Sequence, residues 1–413
     1  HPPLIIPEVG GGEEKKIQKT IDAYRKAAQM ISSLQPETIV LLSPHQIMYA
    51  DYFHISPGQG TRGDFGQFRA ARTSMEVSYD TEFVRVLCDA AAEAGLEAGT
   101  LGERERKLDH GTMVPLYFVN QLWKEYRLVR IGLSGFPLVA HYRLGQCIQA
   151  AAQTLGRNTV VVASGDLSHK LKEDGPYGYQ EEGPAYDARV MDVMGRAAFG
   201  ELLEFSEDFC EKAAECGHRS FTILAGAFDR TGVEVERLSY EGPFGVGYGV
   251  CTYRPTGYDE TRNFLEQYEE KKRQVLLARR EREDPYARLA RYTIEAFVKT
   301  GTLPKMPQGL PEELYQNRAG AFVSLKEDGR LRGCIGTIQA VRGSLAEEIM
   351  HNAVSACSAD PRFDPVEDWE VERLTISVDV LGETERISSP EELDVTRYGV
   401  IVTRGRRRGL LLP

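Results

Sequence analysis

The sequence predicts an α/β amino-terminal domain, with a mixed or mainly parallel sheet flanked by helices, followed by a smaller α+β domain. Three observations carry this expectation. Between Lys15 and Tyr253 short apolar runs alternate with stretches of helical periodicity, as in strands joined by crossover helices. From Tyr258 to Asp284 the composition turns to charged, helix-favouring residues, which interrupts the alternation. Beyond Pro285 a new set of helices and strands begins. A length of 413 residues suits two or three domains at roughly 100–200 residues each, read here as a domain over 1–256, a charged helical linker over 257–284 and a second domain over 285–413.

Lys15 to Ser33 carries Ile17, Ile21, Tyr24, Ala27, Ala28 and Ile31, the spacing of one helix face. The apolar run within Glu37–Leu42 predicts a buried strand. A helix over Thr81–Gly95, a strand over Tyr126–Leu133, a helix over His141–Leu155 and a strand over Thr159–Ala163 continue the alternation. Helices over Pro184–Phe199 and His218–Phe228 follow, then strands over Val233–Tyr240 and Val246–Tyr253. In the second domain the pattern gives a helix over Tyr286–Thr300, a strand over Gly320–Lys326, a helix over Leu345–Cys357 and a strand over Leu374–Val380.

Composition excludes several classes. A hydrophobic share of 42% with 27% charged residues is that of a folded globular chain. A net charge of −11 disfavours general affinity for phosphate backbones, so nucleic acid is not the expected partner. No apolar run approaches the ~20 residues of a membrane span, so no membrane is expected either. Seven cysteines, none spaced as CxxC, read as reduced thiols of a cytoplasmic chain. The absence of Met at position 1 reads as a start inside a longer polypeptide, and Gly409-Leu-Leu-Leu-Pro413 as a strand cut short.

Histidines concentrate the chemistry. His45 follows the first strand in Ser43-Pro-His45, and His169 closes Ser164-Gly-Asp-Leu-Ser-His169 just after another. In open α/β sheets the functional crevice lies beyond the carboxyl ends of the strands, so these two loops can converge on one site. His110, in Leu108-Asp-His-Gly-Thr112 ahead of Val114-Pro115, is a third candidate. Each alone reads as a loop or capping histidine; three together beside a carboxylate read as a site.

His1-Pro-Pro, Ser43-Pro-His45, Asp109-His-Gly-Thr112, Gly165-Asp-Leu-Ser-His169 and Ala214-Glu-Cys-Gly217 resemble, in order and spacing, the LigB-type class III extradiol ring-cleavage dioxygenases, over about residues 1–254. Memo-like proteins share part of the pattern. The resemblance implies Fe(II), with zinc or manganese as other candidates, held by His1, His45 and Glu215. It further implies His169 as acid/base and His110 as a histidine behind the ligands or against the substrate. Glu241, and a contribution from Cys216 or His218, remain rivals to Glu215. Two imidazoles and a carboxylate on one face of Fe(II) leave open positions where a catecholate and dioxygen can sit together. Cleavage beside the diol needs a proton removed and later returned, a task for a histidine titrating near neutral pH. Memo-like relatives differ in the carboxylate, so a metal site there does not by itself mean a dioxygenase.

Leu331-Arg-Gly-Cys-Ile-Gly-Thr337 and Asp360-Pro-Arg-Phe363 resemble the AMMECR family, and the two domains together resemble the AmmeMemoRadiSam system A proteins. That resemblance implies a radical SAM protein as partner. Cys334, bracketed by Gly333 and Gly336, reads as a small buried Cys in a tight turn ahead of a ligand loop or reactive thiol. Other patterns are discounted. Gly58-Gln-Gly-Thr-Arg-Gly63 lacks an entering strand and a leaving helix and reads as a mobile loop over the site. Gly245, Gly247 and Gly249 read as close packing on one strand face, and Arg404–Arg408 as a solvated hairpin tip. His54, His141, His218 and His351 are given no role.

The leading expectation is an extradiol-type dioxygenase acting on a catechol-like or other small aromatic. The rival is a metal- or ligand-binding scaffold serving a radical SAM partner. A homo-oligomer is permitted but not required.

Overall fold

The computed structural model describes residues 1–394, 398–405 and 407–411, and the chain divides into two compact units, His1–Glu270 and Lys271–Pro413. In the first unit the apolar run forms β1, Thr38–Ser43, with every residue buried. It lies at the centre of a three-stranded parallel sheet, between β4 (Arg127–Gly132) and β5 (Thr159–Ala163). Burial on both faces explains why β1 reads as a continuous apolar run without alternation. Around the sheet lie α1 (Gln18–Leu34), α2 (Thr81–Glu93), α3 (His110–Val119), α4 (Leu138–Leu155), α5 (Glu182–Gly195), α6 (Glu207–Ala213) and α7 (His218–Ala227). Asp80 starts α2 by accepting from the Phe83 N–H at 3.0 Å, and Gly156 ends α4 in the left-handed conformation at φ 61°.

The unit also holds two antiparallel hairpins, β2 (Gly60–Phe65) with β3 (Ala70–Ser78) and β6 (Thr231–Glu241) with β7 (Tyr248–Tyr258), and a short parallel pairing of Phe53–His54 with Ala98–Gly99. The first hairpin corrects the expected mobile loop at Gly58–Gly63. Gly60 and Gly63 are there because backbone and core side chains come close: a Cβ on Gly63 would lie 2.7 Å from Leu108 and Met113 atoms. Gly247 and Gly249 do lie against one surface, that of Asp187 and Met191 on α5, although Gly247 precedes β7.

The charged run folds as α8, Phe264–Glu281. In the second unit α9 (Pro285–Thr300) is opened by Asp284, which accepts from the Ala287 N–H. An antiparallel sheet follows, with β8 (Ala321–Glu327) between β9 (Arg330–Gly336) and β10 (Thr375–Val380), packed by α9 and α10 (Leu345–Ser358). Cys334 therefore lies in a strand, opposite Ser324, and not in a tight turn. Its glycines serve packing: a Cβ on Gly333 would meet the Ala356 carbonyl at 2.2 Å and one on Gly336 the Phe322 ring at the same distance. A hairpin, β11 (Val400–Arg404) and β12 (Arg407–Leu411), holds the basic run at its tip, where position 406 lies outside the described residues.

Helices α4 and α7 touch backbone to backbone. A Cβ on Gly145 would lie 2.0 Å from the Ile223 carbonyl oxygen, and one on Gly226 1.9 Å from that of Tyr142. Gly145→Ala should therefore force the helices apart and cost about 1–3 kcal/mol, read as a lower denaturation midpoint. An unchanged midpoint would mean that the two helices separate freely.

Candidate functional site

The site forms beyond the carboxyl ends of β1 and β5. His45 follows β1 by two residues, and His169 follows β5 on the loop 164–169. His110 is the first residue of α3, whose capping residue Asp109 accepts from the Thr112 N–H at 2.9 Å. Pro115 lies inside this helix, a stretch to which the sequence pattern assigns no element. His1 is 4% exposed, and its Nε2 lies 2.7 Å from that of His45. The three imidazoles form one cluster: ring centroids are 4.6 Å apart for His1 and His45, 4.0 Å for His45 and His110, and 5.4 Å for His1 and His110.

A third loop, 213–218, closes the site. Gly165 and Gly217 meet so tightly that a Cβ on Gly165 would lie 2.1 Å from the Gly217 Cα. The contact seats Cys216: its Sγ lies 4.0 Å from His1 Nε2 and accepts from the Asp166 N–H at 3.2 Å. Among the described residues, ligand atoms gather within 4.8 Å of one another in two groups, His1–His45–Cys216 and Asp166–His169–Cys216.

Glu215 belongs to neither group. Its Oε2 accepts from the His218 N–H at 2.6 Å at the start of α7, and burial pushes its carboxyl up to about 7. The two other rivals are engaged elsewhere. Glu241 accepts from the backbone and hydroxyl of Thr20, and His218 is enclosed between Tyr186 Oη and the Leu202 carbonyl.

Two further features fix the imidazoles. His169 Nδ1 faces the Ala214 carbonyl, which can only accept, so Nδ1 carries a proton and Nε2 is the nitrogen turned to the site, 3.9 Å from Asp166 Oδ2. Burial, and then the neighbouring His45, lower His110 to about 4, so it is a neutral ring at pH 7. Phe68, at the β2–β3 turn, covers His110 with ring centroids 5.4 Å apart, and Tyr177 stands 5.1 Å from His169.

Two imidazole Nε2 atoms 2.7 Å apart must have a proton or a cation between them, since two lone pairs repel at that distance. The donor set, with a thiol beside it, fits a divalent transition metal.

Behind the cluster runs a buried polar network absent from the sequence reading. Asp109 Oδ2 receives Arg130 Nε at 3.2 Å and Nη2 at 3.0 Å, while Oδ1 accepts from Ser43 Oγ at 2.5 Å. Ser43 Oγ in turn accepts from the His45 N–H at 3.3 Å. Arg130 is fully enclosed. In the second unit, Asp360 accepts from the Cys334 N–H at 2.8 Å and is held well below the usual carboxylate range by Arg362.

Residues 1–251 match the family described as the catalytic LigB subunit of aromatic ring-opening dioxygenase, and residues 287–413 match AMMECR1. The chain belongs to the LigB family and carries an AMMECR1 domain fused behind it. A protein of Clostridium acetobutylicum is 39% identical over 421 residues, spanning 100% of this chain and 89% of that relative. One from Thermotoga maritima is 48% identical over 132 residues, 32% of this chain and 76% of its own length. A solved Pyrococcus horikoshii structure shares 36% identity over 31% of this chain and 66% of its own, with a TM-score of 0.29. An Escherichia coli structure shares 15% over 55% of this chain and 91% of its own, with a TM-score of 0.38.

Asp109→Asn should leave the Arg130 charge buried without its counter-charge, at a cost of about 3–5 kcal/mol. The Asp109 carboxyl is depressed in the folded state by Arg130 and its hydrogen bonds against the opposing effect of burial. Its contribution is therefore fully present above the unfolded value near pH 4 and is lost as pH falls through the folded value. The stability gap between the parent and Asp109→Asn, measured by denaturant titration, should be constant from about pH 5 to 8 and narrow below about pH 4. A gap that widens in acid would refute this account.

Proposed function

We propose that the amino-terminal domain holds one divalent metal ion, Fe(II) by preference, on His1 and His45, and uses it for extradiol-type ring cleavage of a catechol-like or other small aromatic. The observation that carries this reading is the 2.7 Å approach of the His1 and His45 Nε2 atoms within a LigB-family domain. A divalent ion on these donors would supply Lewis acidity and, as iron, access to dioxygen chemistry. His169 acts as acid/base: its Nε2 takes a proton from a substrate hydroxyl, and Nδ1–H stays anchored on the Ala214 carbonyl. Neutral His110 and Phe68 give the substrate ring an uncharged, aromatic wall. The third ligand is proposed as Cys216 on geometry, with Glu215, the ligand implied by the family resemblance, as the competing assignment.

One observation favours a second reading. A thiol in the donor group, where an Fe(II) dioxygenase uses a carboxylate, suits a softer metal and a role without ring cleavage. On that reading the domain is a metal- or ligand-binding scaffold working with a radical SAM partner.

Metal analysis of anaerobically purified protein, then oxygen uptake with a panel of catechols, separates the two. The first reading expects about one iron per chain, with binding lost in His45→Ala and uptake lowered about 10²–10⁴-fold in His169→Gln while metal is kept. Cys216→Ala should lose metal and Glu215→Gln retain it; the reverse result would move the third ligand to Glu215. Stoichiometric metal in His45→Ala would overturn the site. Tight metal without turnover would favour the scaffold.

A further inference from the structure

The loop that carries Asp166 and His169 is fastened on one side by backbone. Leu167 N–H donates to the Gly247 carbonyl at 3.0 Å, Gly247 N–H to the Ser168 carbonyl at 2.8 Å and Leu171 N–H to the Gly245 carbonyl at 3.2 Å. The Ser168 N–H goes to a side chain instead, Asp187 Oδ1 on α5, at 2.7 Å. Asp187 is 1% exposed, and its Oδ2 accepts from Tyr240 Oη on β6 at 2.8 Å. Gly247 makes room for it, since a Cβ there would lie 2.0 Å from Oδ2. One carboxylate thus joins α5, β6 and the loop of His169.

A carboxylate in such a place is costly. Burial pushes it up to about 6, against the two hydrogen bonds that favour the charged form, and among the described residues no cation pairs with it. An apolar side chain of the same size would fill the space at less cost, so what distinguishes the carboxylate is what it holds. It holds the peptide plane between Leu167 and Ser168. Beyond that plane Ser168 Oγ and His169 N–H both donate to the Ala213 carbonyl, at 2.8 and 3.2 Å, and His169 Nδ1–H donates to that of Ala214. Rotation of the Leu167–Ser168 peptide would carry Ser168 and His169 off these two carbonyls together.

We propose that Asp187 is a positioning residue for His169: it fixes the plane from which the imidazole reaches Ala214 and presents Nε2 to the site. It acts through Ser168 and belongs to neither group of gathered ligand atoms. The inference rests on the reading of His169 as acid/base and extends it from the ring to its support. Three substitutions separate placement from charge. Asp187→Asn keeps both hydrogen bonds, with Oδ1 accepting from Ser168 and Nδ2 donating to Tyr240 Oη, and drops the charge. Asp187→Glu keeps the charge and moves the oxygens out by one methylene. Asp187→Ala removes the support.

The test follows the His169 ring by NMR in the full chain labelled with nitrogen-15 histidine, with one equivalent of Zn(II), which is diamagnetic whether bound or free. The Nδ1–H resonance, identified by its loss in His169→Gln, should be protected from exchange in the parent and in Asp187→Asn, and broadened or lost in Asp187→Ala and Asp187→Glu. With Fe(II), catechol-dependent oxygen uptake should follow the same order: kcat lowered about 10–100-fold in Asp187→Ala and Asp187→Glu and rescued in Asp187→Asn, with bound metal unchanged in all three. A protected Nδ1–H in Asp187→Ala, its loss in Asp187→Asn or its absence from the parent would each overturn the proposal. Should Asp187→Ala not fold, the contrast of Asp187→Asn with Asp187→Glu decides, since a role of charge alone would reverse their order. A parent without oxygen uptake on any catechol would count against the ring-cleavage reading alone, and the resonances would still decide the support of His169.

Discussion

The buried pair of Asp109 and Arg130 is the constraint on which the site's geometry rests. A guanidinium buried in the middle of a parallel strand needs a counter-charge, and Asp109 supplies it and takes Nε and Nη2, while Nη1 is left without a partner. The same carboxylate caps α3 and takes the Ser43 hydroxyl at the end of β1. One charged group thus fixes the end of β1, the start of α3 and the middle of β4 relative to one another. His45 is two residues beyond Ser43, and His110 is the residue after Asp109. The pair need not add net stability over an apolar replacement; what it contributes is position.

The choice between Glu215 and Cys216 turns on one step along a tight loop. The loop 213–218 must bring Gly217 against Gly165 and immediately begin α7. The unsatisfied N–H groups of that helix start attract an acceptor, and Glu215, three residues before His218, is placed to provide it. Once its carboxylate is committed to the helix, its neighbour faces the imidazoles. A carboxylate that caps a buried helix end and a thiol that meets two histidines are therefore two outcomes of the same turn.

Much of this fold was legible because buried parallel strands read as unbroken apolar runs and their crossover helices carry stripes. What escaped has physical reasons. Helix α3 is apolar all round, with Pro115 within it, so it has no stripe to read. Hairpin β2–β3 is rich in glycine and arginine, a composition shared with loops, and its glycines answer to tertiary contacts invisible in the sequence. Cys334 was misplaced for the same reason, since glycines that admit Ala356 and Phe322 look like those of a turn. At the site, residue types and chain order pointed to the loops that converge. They could not indicate which of two adjacent residues faces inward, nor that Arg130, an unremarkable strand residue in sequence, anchors the cluster.

Backbone contact also links the site to the fold at longer range. Helix α7 begins directly after Gly217, held against Gly165, and one face carries Gly226, held against the Tyr142 carbonyl of α4. A rigid helix pinned near both ends has no freedom to slide or to tilt. Cys216 sits just ahead of the first of those pins, so its distance from His1 is set in part by packing on the opposite end of α7. A methyl group at Gly145 or Gly226 would thus reach the imidazole cluster through the helix, without touching any residue of it.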